Sequence, residues 1–212
     1  MLRLLLPVLA LTLFSGCETA YINTMEQFGV HKRDILADRI VDVQEAQAEG
    51  QQEFRSALEQ FRSVINVEGG ELEKQYNKLQ SAYDDSEAAA EKISERIDKV
   101  ESVAEALFDE WDDELDQYTN QRLRADSERK LKETQRGYEQ VMRAMRASEK
   151  SLTPVLNALR DNTLYLKHNL NASAIGALRG EYQNVNSNVE QLLKSMEKSI
   201  AESDAFIKTL DN

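Results

Sequence analysis

Apolar residues recur along this chain at alternating spacings of four and three. Leu36, Ile40, Val43, Gln47, Gly50, Phe54, Ala57, Phe61 and Val64 form one such series. On an α-helix that spacing draws a narrow stripe, and a stripe held to a seven-residue repeat is the seam of a left-handed coiled coil. Gln47 and Gly50 are its weak layers. The pattern predicts a first long helix ending near Asn66, after which Val67-Glu68-Gly69-Gly70 supplies the residues of a helix end and tight link. Glu71 and Glu73 then suit the first turn of a second helix, where the dipole favours negative charge. The two segments read as an αα-hairpin. The second carries the most regular repeat of the chain, through Leu72, Tyr76, Leu79, Tyr83, Ser86, Ala90, Ile93, Ile97, Val100, Ala104, Leu107, Trp111 and Tyr118.

Beyond Tyr118 the phase is lost until Leu131. A third stripe then follows through Tyr138, Met142, Met145, Leu152, Leu156, Leu159, Leu166 and Leu170 in a different register. Residues 119–130 therefore hold either a turn near Thr119-Asn120 or a continuous helix with a phase slip. Acidic residues (Asp109, Glu110, Asp112, Asp113, Glu114, Asp116) precede the gap and basic ones (Arg122, Arg124, Arg129, Lys130, Lys132) follow it, so a hairpin would set opposite signs side by side. The absence of glycine and proline from the stretch speaks for continuity. Thr153-Pro154 places proline either at the start of a helix or at a kink within one. Asn171 and Ser173 mark a last boundary before Ile175, Leu178, Tyr182, Val185, Val189, Leu192, Met196, Ile200, Ser203, Phe206 and Leu210.

Such stripes are not stable alone in water and must pack on one another or on another subunit. The fold class this predicts is all-α: an elongated antiparallel coiled-coil bundle of three or four long helices, with residues 24–212 as one domain. A helix from Glu71 to Tyr118 would be about 70 Å long. No strand-like alternation occurs.

The formal net charge of −12 repels nucleic acid and anionic lipid, and without a phosphate loop no nucleotide is expected as a partner. The single cysteine, Cys17, excludes an internal disulfide and a thiolate-rich metal site. Its position is more informative than its number. Residues 1–16 combine an early Arg3 with an apolar run from Leu4 to Phe14, which is the layout of a secretory signal and too short to span a bilayer. Leu13-Phe14-Ser15-Gly16-Cys17 resembles the lipobox of bacterial lipoproteins, whose cysteine thiol takes up diacylglycerol with palmitate-type chains before the signal is cut away. Residues 17–23 would then be a lipidated tether, and Thr24-Met25-Glu26-Gln27 reads as a capping box for the first helix. The resemblance implies a Gram-negative envelope protein on the periplasmic face of the outer membrane. Glu18 supports that address, since aspartate after the cysteine is the usual signal for inner-membrane retention.

Catalytic patterns are missing. There is no GxxxxGK[ST] phosphate loop, HExxH, GxSxG or paired-cysteine spacing, so no enzymatic activity and no cofactor are expected. His31, Asp34 and Asp38 could share a helix face able to hold a divalent metal, but the neighbouring Lys32, Arg33 and Arg39 fit a solvated polar cluster better, and no metal is expected. His168 suits a helix C-terminus. Tyr76, Tyr83, Trp111 and Tyr118 lie on the seam and read as core rather than as a sugar-binding strip. The group His31, Lys32, Arg33, Asp34 and Arg39 is the densest basic patch near the tether, placed to touch lipid headgroups or a partner protein.

The run Met25-Glu26-Gln27-Phe28-Gly29-Val30-His31-Lys32-Arg33-Asp34-Ile35-Leu36, with Asp38-Arg39-Ile40 and Gln52-Glu53-Phe54-Arg55-Ser56-Ala57-Leu58-Glu59-Gln60-Phe61, resembles a family of gammaproteobacterial lipoproteins of unknown function. That resemblance implies an address without an activity. The function expected is a non-enzymatic structural or adaptor lipoprotein, joined to the membrane through Cys17 and to an unknown envelope protein or to itself. The alternative is a chaperone-like periplasmic module that holds clients between loosely packed helices, suggested by the small or polar seam residues Gln47, Gly50, Ser86 and Ser203.

Overall fold

In the computed structural model, residues 31–67 and 71–210 are described; Cys17, the segment before it and the capping box at Thr24–Gln27 lie outside them. Among the described residues the four stripes become four helices: α1 (Lys32–Ile65), α2 (Leu72–Leu115), α3 (Gln121–His168) and α4 (Ala172–Leu210). Each is flanked by two others, α1 by α2 and α4, and α3 by α2 and α4. The result is an antiparallel four-helix bundle in which α1 and α3 face each other across the core. With 48 residues, α3 is about 70 Å long.

The first seam is legible in full, since all nine positions from Leu36 to Val64 are buried. In α2 the run from Leu79 to Leu107 is buried, while Tyr76 and Trp111 are half-buried near its ends. The third seam differs from the expected one. Its true course is Leu131, Thr134, Tyr138, Val141, Met145, Ser148, Leu152, Val155, Leu159, Asn162 and Leu166, all buried or half-buried. Three polar members hid a regular repeat; of the two expected positions beside it, Met142 is buried in the core and Leu156 only half-buried against it. The same happened in α4, where Ser199 is fully buried and the neighbouring Ile200 only partly.

The open question at 119–130 resolves as a hairpin. Helix α2 ends at Leu115, and Asn120 caps α3 by accepting from the backbone N–H of Arg122 (3.0 Å) and Leu123 (3.3 Å). A short polar side chain at the N-cap does here what glycine or proline was expected to do. Opposite charges meet across this turn mainly through Arg124, whose guanidinium reaches the Leu115 carbonyl (3.2 Å) and Asp116 (3.5 Å). Arg129 and Lys132 pair instead within α3, with Asp126 and Glu128. Pro154 neither starts nor ends a helix; it sits in the interior of α3 on an exposed face, where the carbonyl it leaves free can be hydrated. Tyr118 and Leu170 were placed on seams but lie outside the helices, 38% and 43% exposed. Asn171 caps α4 through Ser173 N (3.0 Å) and Ala174 N (3.2 Å).

Candidate functional site at the hairpin end

Antiparallel register decides what meets at the ends of the bundle. Lys32 at the start of α1 pairs with Glu110 in α2 at 2.8 Å, so α1 begins about one turn short of the end of α2. At the same end Phe206 near the end of α4 lies against Gly137 of α3. Among the described residues, the α2–α3 hairpin therefore overhangs its neighbours: residues 121–130 of α3 alone extend about 15 Å. The overhang is fastened by Trp111, whose indole Nε1 donates to Ser127 Oγ at 2.8 Å. Large apolar side chains are exposed on its tip, Tyr118 at 38% and Leu123 at 56%.

The basic patch at the start of α1 does not act as one surface. Lys32 is buried, 9% exposed, with its ammonium on Glu110. Arg39 is half-buried and bonds Asp42 (3.2 Å), which also takes Arg96 of α2 (2.7 Å). Lys32 through Glu110, and Arg96 through Asp42, join α1 to α2. His31, Arg33 and Asp34 are exposed. His31 precedes the helix in an extended conformation (φ −74°, ψ 145°), so it does not continue the face of Asp34 and Asp38. Among the described residues no three His, Cys, Asp or Glu side chains come together as metal ligands.

Two hollows flank Trp111. A small one of about 210 Å³ is bounded by His31, Lys32 and Arg33 on α1 and Leu107, Glu110 and Glu114 on α2. A larger cleft of about 560 Å³ lies toward α3 and α4 and is lined by Arg33, Trp111, Lys130, Gly137, Val141 and Phe206 among others. The approach of Phe206 explains Gly137, since a Cβ there would stand 2.8 Å from the ring. Sequence reading missed this cleft because it combines residues from all four helices, and no spacing within one helix reports which others it faces. An interior glycine in a long helix was the one signal available.

Two tyrosines on the seams are electrostatically perturbed. Burial and the Glu87 carboxylate, which accepts from Tyr83 Oη at 2.6 Å, push the Tyr83 phenol up to about 12. Burial, with Glu101 and Glu105 nearby, does the same for Tyr138. Arg146 of α3 loses some of its preference for charge to burial, but hydrogen bonds to Glu149, Asp98 and Glu101 outweigh this and hold it more firmly protonated than usual. Neutral phenols and a clamped guanidinium are packing devices and offer no general base. Among the described residues no helix is long and apolar enough to cross a membrane.

Fold and site together define an all-α antiparallel bundle with one overhanging hairpin. The chain belongs to the family described as "Protein of unknown function (DUF2959)", whose profile matches residues 21–210. None of the curated proteins compared with the chain is similar to it.

Proposed function

We propose that the chain is a non-enzymatic, lipid-anchored envelope protein with a structural or adaptor role, tethered through Cys17 at the periplasmic face of a Gram-negative outer membrane. The observation that carries the adaptor role is the hairpin tip. Tyr118 and Leu123 stand on either side of the Asn120 cap, exposed, and take no part in the core. Aromatic and aliphatic anchors of this kind are what a protein partner buries at the centre of an interface. The chain also enters α1 at this end, so a tether attached before residue 31 brings the tip toward the anchoring surface. The anchoring itself rests on the sequence before Cys17. Acyl chains contribute about 0.8 kcal/mol per buried methylene, enough with two or three chains to hold an acidic protein that an anionic surface repels.

In-cell photocrosslinking from positions 118 and 123 tests the adaptor role, with position 91 on the exposed face of α2 as the reference. One envelope protein captured from the tip and not from position 91 supports it. Capture of the same chain alone points to a self-assembling structural protein, and equal capture from both positions removes the adaptor reading. Anchoring is tested separately: Cys17→Ser should move the protein from the outer-membrane fraction to the soluble periplasm and abolish labelling by an alkyne fatty acid.

A further inference from the structure

The 560 Å³ cleft at the hairpin end has the size of a small-molecule site, for which the usual range is roughly 300–1,000 Å³. It is too small to seat a folded partner. Its floor is apolar, formed by Phe206, Val141 and the indole of Trp111, and Gly137 lets the Phe206 ring sink against the α3 backbone.

Charge around the mouth is uneven in availability. Of the two carboxylates there, Glu202 accepts from Gln140 Nε2 at 2.6 Å and Glu133 lies 4.0 Å from Arg129. The two cations of the mouth, Arg33 and Lys130, are exposed and have no ion pair among the described residues. Arg33 also sits in the first turn of α1, whose N-cap His31 gives no side-chain hydrogen bond, so the helix dipole adds to the positive field. An apolar trough with two open cations complements a molecule with an alkyl body and one anionic end.

We propose that this cleft binds a single long-chain fatty-acid-type carboxylate, its alkyl chain on Trp111, Val141 and Phe206 and its head group held by Arg33 and Lys130. Arginine favours carboxylate because its fork can make two parallel hydrogen bonds. One alkyl chain suits the volume. The inference goes beyond the adaptor role and does not depend on the anchor, so either can fail alone.

Trp111 is the only tryptophan in the chain and lines the cleft, which makes it a local reporter. Brominated stearic acid titrated into the purified full chain should quench its fluorescence saturably. Arg33→Gln with Lys130→Gln should weaken that binding roughly tenfold or more, the loss expected for charge-assisted hydrogen bonds. Ala205→Phe, an exposed position on the wall, should block it by filling the trough while the helical signal is unchanged. Absence of quenching would overturn the proposal. So would quenching that both variants leave intact, or equal quenching by an uncharged brominated monoacylglycerol.

Discussion

Gln47 on α1 donates from Nε2 to Ser148 Oγ on α3 across 2.7 Å, joining the two helices that face each other diagonally through the core. Both side chains are fully buried, and Ser148 Oγ donates its own hydrogen bond to the Met145 carbonyl at 2.7 Å. The other atom of the amide, Gln47 Oε1, has no partner among the described residues. The two ends of this bond are therefore unequal. Ser148→Ala strands a buried amide N–H and should lower stability by about 1–3 kcal/mol. Gln47→Leu removes an unpaired carbonyl and leaves Ser148 still bonded to its own helix, so it should be neutral or stabilising. Urea unfolding of both variants checks this. A larger loss for Gln47→Leu would mean that Oε1 is in fact satisfied.

A polar layer that does not maximise stability is a known device for fixing register in coiled coils. The contacts of Gly50 with Met196 and of Gln44 Nε2 with the Ile200 carbonyl put Ser199 level with Gln47. Among the described residues its hydroxyl is buried without a partner, as is that of Ser203 one turn on. Ser199→Ala should stabilise the fold by about 1 kcal/mol. Its effect on register should appear as a changed elution volume or a broadened amide spectrum, if the layer excludes alternative pairings.

The four glycines within helices separate into two kinds. A Cβ at Gly176 or Gly180 would meet nothing within 4 Å, so Gly→Ala at either should stabilise by up to about 1 kcal/mol through helix propensity alone. At Gly50 a Cβ would stand 2.9 Å from Ile93 Cδ1, the free end of a flexible side chain, and Gly50→Ala should come out near neutral. At Gly137 the obstacle is a rigid ring, 2.8 and 3.0 Å away, and Gly137→Ala should destabilise by about 1–3 kcal/mol despite its better propensity. Thermal melts of the four variants should fall in that order.

Much of this bundle could be read from spacing, and the failures share a cause. The seams of α1 and α2 were recovered because their layers are mostly aliphatic or aromatic. Those of α3 and α4 were displaced where Ser148, Asn162 and Ser199 occupy core layers: Ser148 and Asn162 are accommodated by hydrogen bonds to the backbone or to another helix, and Ser199 is small enough to be buried without one among the described residues, none of which spacing reports. Asn162, for example, donates to the Ala158 carbonyl four residues back, at 2.7 Å. Lys32 was read as surface because its partner Glu110 is distant in sequence. The cleft beside Trp111 was invisible for the same reason, while Cys17 and the tether are legible only in the sequence.

The first turn of α3 is capped by one side chain. Asn120→Ala leaves the N–H groups of Arg122 and Leu123 without their side-chain acceptor and should cost about 1 kcal/mol. Because the overhang contacts few neighbours, the loss should be local: hydrogen exchange should quicken in residues 115–127 and stay unchanged near Phe54 and Leu159 at the centre of the bundle. Uniformly faster exchange would mean that the hairpin is part of the cooperative core.

Alkaline stability gives a test in which the direction is fixed beforehand. The Tyr83 phenol ionises at about 12 in the folded chain against an ordinary 10.0, so the folded state holds a proton that the unfolded state releases between those values. The stabilisation this represents is complete below pH 10 and is lost as pH rises toward 12. A displacement of that size corresponds to at most roughly 2–3 kcal/mol. Tyr138 titrates in the same window for the same first cause, burial, and it packs edge-on against Phe108, with ring centres 5.3 Å apart. Phenylalanine at either position keeps the ring and removes the titration. At pH 7 Tyr83→Phe should cost about 0.5–1.5 kcal/mol, the net value of its hydrogen bond to Glu87. Between pH 10 and 12 each variant should lose helix less steeply than the parent when circular dichroism is followed against pH. The double variant should show the sum of the two effects, since the sites are too far apart along the bundle to share neighbours. Parallel curves for parent and variants would show that both phenols ionise as freely in the fold as in the unfolded chain.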